Sequence, residues 1–163
     1  MGAVTQTYRA VVTLTVTALQ SLAASPTWVA GWGSGVIDNT TDLDLDKAVS
    51  AKFVPAAATA GEIRVYAVAI LDDTNYPDVL SSGTEATEGA VTFTSTEVRD
   101  ANAILLWSSA SASTDPKSMP MTSLRGAFGG IIPPKVFIFV AISGSALSTG
   151  NAVYVKGYGE SVA

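Results

Sequence analysis

Toward its C-terminal end the chain carries the unbroken apolar run Val136-Phe137-Ile138-Phe139-Val140-Ala141-Ile142. The pair Pro133-Pro134 lies just before this run and gives the predicted strand a sharp start. A strand that is apolar on both faces has to be covered on both sides. We therefore expect it to lie in the centre of a sheet or beneath a contact between subunits.

Other runs alternate between apolar and polar residues. Residues 10–19 place valine, leucine and alanine on one face and threonines on the other, which predicts a strand with one solvated face. Residues 62–71 alternate in the same manner and form the clearest predicted strand of the first half of the chain. Their outer, solvated positions are expected to be Glu62, Arg64 and Tyr66.

Glycine, proline, asparagine and aspartate cut the remaining sequence into further short strands, with a turn expected at residues 38–41. One helical turn is predicted at residues 96–101, and no long amphipathic helix is visible. This pattern predicts an all-β protein, an antiparallel β-sandwich of about eight strands with a jelly-roll-like arrangement. No change of composition divides the chain, so we expect a polar N-terminal arm at residues 1–9 and a single domain over residues 10–163.

The composition argues against several kinds of chemistry. The 163 residues include no His and no Cys, so the usual proton shuttle and the best side-chain nucleophile are missing and no disulfide can form. The net charge is −5 and the nine Lys and Arg residues are scattered, which argues against a nucleic-acid partner. The start Met1–Gln6 lacks the basic residues of a signal peptide, and no apolar window is long enough to span a membrane. We expect neither a cofactor nor a membrane partner.

Segment 42–46 has three aspartates at alternate positions, like the start of a calcium-binding loop. That pattern then requires Gly and Glu at the positions occupied by Lys47 and Phe53, so the match fails. Alternation instead places the three aspartates on a solvated strand face and Leu43 and Leu45 on the inward face. We therefore expect no metal site.

Two further features resemble catalytic motifs but lack essential parts. The segment Gly31-Trp32-Gly33-Ser34-Gly35 is not a nucleophile elbow, because no Gly stands two residues before the serine and no His can act as base. It is predicted to be a strand whose bare face suits a bulge, a bend or the close approach of another backbone. An acid pair for glycoside hydrolysis would have to come from turn segments, where Asp is expected for turn chemistry: Asp38, Asp72, Asp73, Asp78 or Glu85. We expect no catalytic residue and no enzyme activity.

The three tryptophans, Trp28, Trp32 and Trp107, fall inside predicted strands and are expected to pack in the core. If they were exposed, they could instead stack on sugars or anchor protein contacts, because aromatic side chains bury a large area at little entropic cost. A carbohydrate-binding β-sandwich therefore stays open as one alternative function.

The order of features along the chain can be compared with that of known protein families. Trp28-Val29-Ala30-Gly31 follows the threonine-rich strand and runs into Ile37-Asp38-Asn39-Thr40-Thr41; after strand 62–71 and a long loop come Met119-Pro120 and Gly129-Gly130-Ile131-Ile132-Pro133-Pro134. This order resembles the jelly-roll virion structural proteins of tailed bacteriophages, of the kind that decorate (cement) the head. The resemblance extends over most of residues 10–160.

The resemblance implies a virion component on the capsid exterior, assembled in the host cytoplasm, that forms homo-oligomers (often homotrimers) and binds the major capsid protein. We expect the polar arm to order only on docking. The candidate capsid or subunit contacts are Tyr8, Arg9, Ile131, Ile132, Pro133, Pro134, Phe137 and Phe139. The loops 72–88 and 108–120 are expected to face outward or toward neighbouring subunits. A tail or fibre component that contacts the host receptor is the second alternative.

Overall fold

The computed structural model describes residues 4–70, 79–85 and 87–162. Within them the strands are β1 Val4–Tyr8, β2 Val12–Thr13, β3 Ala30–Gly33, β4 Ile37–Asp38, β5 Asp46–Phe53, β6 Glu62–Ile70, β7 Leu80–Ser82, β8 Gly89–Phe93, β9 Ala103–Ala110, β10 Lys117–Ser123, β11 Lys135–Ile142 and β12 Ala152–Val162. The same residues include two short helices, α1 Thr96–Asn102 and α2 Leu124–Ala127. Helix α1 confirms the helical turn predicted at residues 96–101.

The strands form two antiparallel sheets that enclose a common core. The first sheet has the order β1-β12-β5-β10, with β2 pairing a second stretch of β12. The second has the order β7-β8-β3-β11-β6-β9, with β4 also pairing β11. The predicted antiparallel β-sandwich is confirmed. The described residues contain twelve strands where about eight were predicted, because two-residue strands such as β2 and β4 are too short to show a periodic pattern.

Strand β11 lies in the interior of the second sheet, as its apolar sequence predicts. It pairs with β6 from Lys135↔Ile70 to Ile142↔Ile63, and with β3 and β4 on its other side. All eight of its residues are buried. Alternate residues enter the core between the sheets and a second apolar cluster on the opposite face. The chain itself therefore covers both faces of this strand.

The second apolar cluster is covered by other segments of the same chain. Phe137 and Phe139 lie in it with Tyr66 and Phe93, and the rings of Phe93 and Phe139 meet edge to face at 4.8 Å. Helix α1 and the segment around Trp28 pack onto this cluster. Tyr66, which alternation assigns to a solvated face, is therefore buried, because this sheet has no solvated face at that position.

Segment 10–19 is the strand prediction that differs most from the structure. Only β2 within it is a strand, because the chain turns at residues 17–21. The apolar positions from Leu14 to Ala18 do pack against the core, as alternation predicts. The Ala18 N–H, however, donates to the Glu88 carboxylate at 2.7 Å instead of to a neighbouring strand.

The predicted polar arm at residues 1–9 is also different in the structure. Residues 4–8 form β1, an edge strand that pairs with the C-terminal part of β12 through five residue pairs. Threonine and tyrosine favour extended backbone, and the pairing partner lies so far along the chain that local periodicity cannot reveal it. These residues are therefore ordered in the sheet without a docking partner. The expected loop 108–120 likewise ends in β10, which pairs with β5.

Candidate functional site

A buried ion-pair cluster at one end of the sandwich is centred on Asp44. The Asp44 carboxylate is fully buried and accepts hydrogen bonds from Arg9 Nε at 2.5 Å and from Lys47 Nζ at 2.9 Å. Lys47 Nζ also contacts the Asp42 carboxylate at 3.0 Å. Burial raises the pKa of Asp44, but the hydrogen bonds and charges of Lys47 and Arg9 outweigh it, so this pKa lies below its ordinary value of 3.8. Asp44 is thus a buried anion held by two cations.

Two glycines of β12 leave space for this cluster. A side chain at Gly157 would collide with the Asp44 carboxylate and the Arg9 side chain, and one at Gly159 would contact the same carboxylate. Both glycines lie at the inward positions of β12, after the buried Val155. The glycines of Gly157-Tyr158-Gly159 are therefore the sequence signal for the cluster, which apolar alternation alone does not reveal.

The ion-pair cluster also fixes the loop of residues 39–45. The Asn39 side chain closes this loop, because its amide donates to the Asp44 carbonyl at 2.9 Å and its oxygen accepts from the Asp44 N–H at 3.0 Å. The Asp38 carboxylate accepts hydrogen bonds from the Thr40 hydroxyl and N–H, which hold the pKa of Asp38 below its ordinary value. The turn predicted at residues 38–41 is confirmed.

This fixed loop holds two leucines in solvent. Leu43 is 74% exposed and Leu45 is 43% exposed. Leu43 also has a φ of 51°, a left-handed conformation that costs a residue with a side chain about 1 kcal/mol or more. The sequence predicts that these leucines face inward and that Asp44 faces solvent. Both predictions are wrong. The reason is that ion pairing buries Asp44, and turning one residue of an alternating run inward turns both its neighbours outward.

A second loop, residues 129–134, lies at the same end of the sandwich. The Asn39 N–H donates to the Pro134 carbonyl at 2.8 Å, which connects the two loops. Gly129 and Gly130 form the turn with positive φ angles of 73° and 104°. Ile131 follows them and is 78% exposed, the highest value among the large apolar residues that the structure describes. We refer to three side chains together as the apolar end: Leu43, Leu45 and Ile131.

Three tyrosines lie on the outer face of the five-stranded sheet; Tyr8 and Tyr154 are exposed and Tyr158 is half-buried. Tyr154 and Tyr158 belong to β12, and Tyr8 of β1 is paired with Tyr158. The rings of Tyr8 and Tyr158 meet edge to face at 5.3 Å, and Lys156 Nζ lies 5.5 Å from the centre of the Tyr8 ring. Met121 Sδ accepts a hydrogen bond from the Tyr158 hydroxyl at 3.0 Å. We refer to these outward side chains as the tyrosine face: Tyr8, Met121, Tyr154, Lys156, Tyr158 and Glu160.

A groove of about 400 Å³ opens on the tyrosine face beside Tyr158. Ala48 of β5 and the Arg125 side chain line it. The Arg125 N–H donates to the Asp46 carboxylate at 2.8 Å, which fixes α2 against the start of β5. Leu45 also lines the groove, so the tyrosine face and the apolar end adjoin each other. Both surfaces offer apolar contact area with charges nearby, which suits binding of a macromolecule.

Four of the predicted contact residues are exposed, Arg9 among them. Tyr8 is 58% exposed on the tyrosine face, Ile131 belongs to the apolar end, and Pro134 is exposed beside it. Ile132 and Pro133 are half-buried, and Ile132 packs against the core between the sheets. The prediction therefore found one residue of each exposed surface, but it missed Leu43, Leu45, Met121, Tyr154 and Tyr158.

Phe137, Phe139 and Arg9 make contacts within the fold itself. Phe137 and Phe139 are fully buried inside the chain and present no surface to a second molecule, because helix α1 and neighbouring segments cover their face of the sheet. The guanidinium of Arg9 is engaged by Asp44 and by the Asp42 carbonyl, the latter at 2.6 Å. Assigning Phe137 and Phe139 to an intermolecular contact was therefore wrong, whereas the Arg9 side chain is 44% exposed and its contact stays a prediction.

The segment that resembled a nucleophile motif has a structural role. The Ser34 side chain is buried, its hydroxyl accepts from a β11 N–H at 2.9 Å, and it donates to the Gly35 carbonyl at 2.8 Å. A side chain at Gly31 would collide with the Val140 carbonyl and the Phe139 ring. The predicted close approach of another backbone is therefore confirmed at Gly31.

The acids proposed for glycoside hydrolysis are not gathered in the described residues. Asp38 forms an ion pair with Lys135 at 3.6 Å, and Glu85 is half-buried near β7. Asp72, Asp73 and Asp78 lie outside the described residues. Of the expected loop 72–88, residues 72–78 and 86 lie outside them. Over the described ranges, no group of three or more acidic residues is placed to hold a metal ion. Neither described helix is long and apolar enough to span a membrane.

The tryptophans are mostly packed, as predicted. Trp32 is fully buried, and Trp107 is half-buried with its ring stacked on Phe53 at a centroid distance of 5.8 Å. Trp28 lies in a bend instead of the predicted strand, where the Arg64 guanidinium covers its ring at 3.9 Å. The more exposed aromatic side chains are therefore tyrosines.

Comparison of the chain with protein-family models finds no match, and comparison with curated proteins finds no significant match either. The apolar end and the tyrosine face are consequently the features from which we infer a function.

Proposed function

We propose that this chain is a head decoration (cement) protein of a tailed bacteriophage, which binds the major capsid protein on the outside of the particle. The observation that carries the proposal is the apolar end, where fixed loops hold three large apolar side chains in solvent. Exposed apolar side chains grouped on a rigid surface are typical of protein-docking sites. The resemblance of the order of sequence features to head decoration proteins supports the capsid as the partner.

The buried ion pairs give the apolar end its capacity to dock. They hold Leu43 in an unfavourable backbone conformation before any partner arrives, so little further ordering is needed on binding. Burying Leu43 or Ile131 completely contributes roughly 1.5–3 kcal/mol each. Such contacts are modest for one molecule, but many copies on one lattice, or several in one oligomer, bind with greater avidity.

The location of the chain on purified virions tests this proposal directly. For this experiment a small epitope tag is added to the C-terminus of the chain. Gold-labelled antibody against the tag is then imaged on the particles by electron microscopy. Label distributed over the whole head is the expected result. Label confined to the tail supports the rival assignment as a tail or fibre component, and particles without label contradict a virion role. Particles that contain the chain without the epitope tag, treated with the same antibody, are the control.

A further inference from the structure

The tyrosine face has an ordered arrangement of charge that the docking proposal does not use. Successive outward positions of β12 are Tyr154, Lys156, Tyr158 and Glu160, because side chains two residues apart share one face of a strand. Lys156 therefore stands two positions before Tyr158 and Glu160 stands two positions after it. Lys52 of β5 pairs with Ala152 and adds a second cation at the Lys156 end.

We propose that the tyrosine face joins two copies of this chain, antiparallel about a twofold axis at Tyr158. An axis across the strands at that residue brings Lys156 of each copy opposite Glu160 of the other, with the two Tyr158 rings in contact. A parallel arrangement of the two faces would instead bring Lys156 against Lys156 and Glu160 against Glu160, which is unfavourable. The charges thus select the second copy and its orientation.

The composition of the face supports self-association. Tyrosine, methionine and arginine are enriched at protein–protein contacts, and Met121 is 67% exposed beside Tyr158. Asp46 lies in the same cross-strand row as Tyr158, so the two Asp46 carboxylates face each other across the axis, and each accepts a hydrogen bond from the Arg125 N–H of its own copy. The Arg125 side chain lines the adjoining groove and adds a cation near these carboxylates.

The size of the face is also sufficient. Four adjacent strands about 4.8 Å apart and the length of β12 from residue 154 to residue 162, which is centred on Tyr158, define an area of roughly 20 Å by 30 Å. The protruding tyrosine and Met121 side chains and the groove make the accessible surface of the face larger than this flat area. Each partner in a stable complex buries about 800 Å² of accessible surface, so the face matches a standard contact.

This inference is independent of the proposed function, because it concerns the purified chain alone. It also specifies a closed pair, whereas the resemblance to decoration proteins favours a trimer. A twofold contact uses the same patch on both copies and is complete with two molecules. Lys156 and Glu160 do not belong to the apolar end, so failure of pairing and failure of capsid docking can be told apart.

Sedimentation velocity of the purified full chain tests the pair, with Lys156→Glu and Glu160→Lys as variants. Wild type is expected to sediment as a dimer of the 16.7 kDa chain. Each variant is expected to sediment as a monomer, because the charge reversal raises the dissociation constant of its dimer at least about tenfold. An equimolar mixture of the two variants is expected to form a heterodimer, because both cross-pairs are then attractive. Glu97→Lys, a charge change at an exposed position of α1, which packs on the other sheet, is the control and is expected to remain dimeric.

Four results would overturn the proposal. They are a wild-type chain that stays monomeric at all concentrations, a wild-type trimer, variants that still pair, and a mixture that does not restore the dimer. Thermal unfolding by circular dichroism checks that both variants are folded. A monomeric wild type that binds a glycan array, with binding lost on Tyr154→Ala, would show that the face binds carbohydrate instead.

Discussion

At the scale of single residues, Asp44 determines which side chains of its loop meet solvent. Its carboxylate is buried among Lys47, Arg9 and the glycines of β12, while Leu43 and Leu45 on either side are exposed. Removing one partner from a buried ion pair is strongly destabilising, because the other charge is left without compensation. The stability of the apolar end therefore depends on this carboxylate.

Asp44→Asn is predicted to lower the free energy of unfolding by roughly 2–4 kcal/mol, since Lys47 remains buried without its closest anion. Urea unfolding at neutral pH measures the change. Asp42→Asn is the matched control, because Asp42 belongs to the same network but its side chain is 42% exposed. Its expected effect is below about 1 kcal/mol. Equal losses in the two variants would contradict the assignment of Asp44 as the anchor.

The lowered pKa of Asp44 also predicts how stability depends on pH. The folded pKa lies below the ordinary value of 3.8, which stands for the unfolded chain. The ion pairs therefore contribute fully above that value, and their contribution is lost as the pH falls through the folded pKa. The difference in unfolding free energy between wild type and Asp44→Asn is expected to be large at about pH 7 and to shrink toward about pH 2. Urea titrations across this range test it, and a difference independent of pH would contradict it.

At the scale of elements, the sequence was most informative where strands are long and buried. The runs that became β6 and β11 could be identified because their apolar patterns extend over eight or nine residues. The run at residues 10–19 shows the limit of the same reasoning. It has the alternation of a strand, but tertiary contacts such as that from Glu88 to the Ala18 N–H bend it into a turn.

The candidate site was harder to predict because its residues follow an exception to alternation. The leucines of segment 42–46 would face inward if the aspartates were solvated, and only the ion pairs with Arg9 and Lys47 reverse this. Arg9 is 35 positions from Asp44, so no local pattern connects them. The tyrosine face was found only at Tyr8, because which side of β12 meets the core depends on pairing with distant strands.

Packing between β3 and β11 provides a prediction at this scale. Gly31→Ala is expected to lower the free energy of unfolding by about 1–3 kcal/mol, because its methyl group would collide with the Val140 carbonyl and the Phe139 ring. Gly89→Ala is the control in β8 of the same sheet, where an added methyl group meets no atom within 4 Å. Its effect is expected within about 0.5 kcal/mol of zero. Chemical denaturation compares the two, and a Gly31→Ala variant as stable as wild type would contradict the close approach.

At the scale of the whole molecule, the fold combines a self-sufficient core with two exposed surfaces that we propose as binding surfaces. Both faces of the central strand are covered by the chain itself, so the sandwich does not depend on a partner to complete its core. The apolar end and the tyrosine face adjoin at Leu45 but carry different residues. We expect the apolar end to contact the capsid and the tyrosine face to contact a second copy of the chain. Each dimer would then have two apolar ends that can bind the capsid.

Docking through the apolar end is tested by occupancy on phage heads assembled without this chain. Heads are titrated with wild type, with the double variant Leu43→Ser, Ile131→Ser, and with Leu105→Ser, whose leucine is 49% exposed on β9 away from the apolar end. Wild type and Leu105→Ser are expected to fill the heads equally, whereas the double variant should require at least about tenfold more protein. Equal filling by the double variant, or no binding by wild type, would contradict docking through the apolar end.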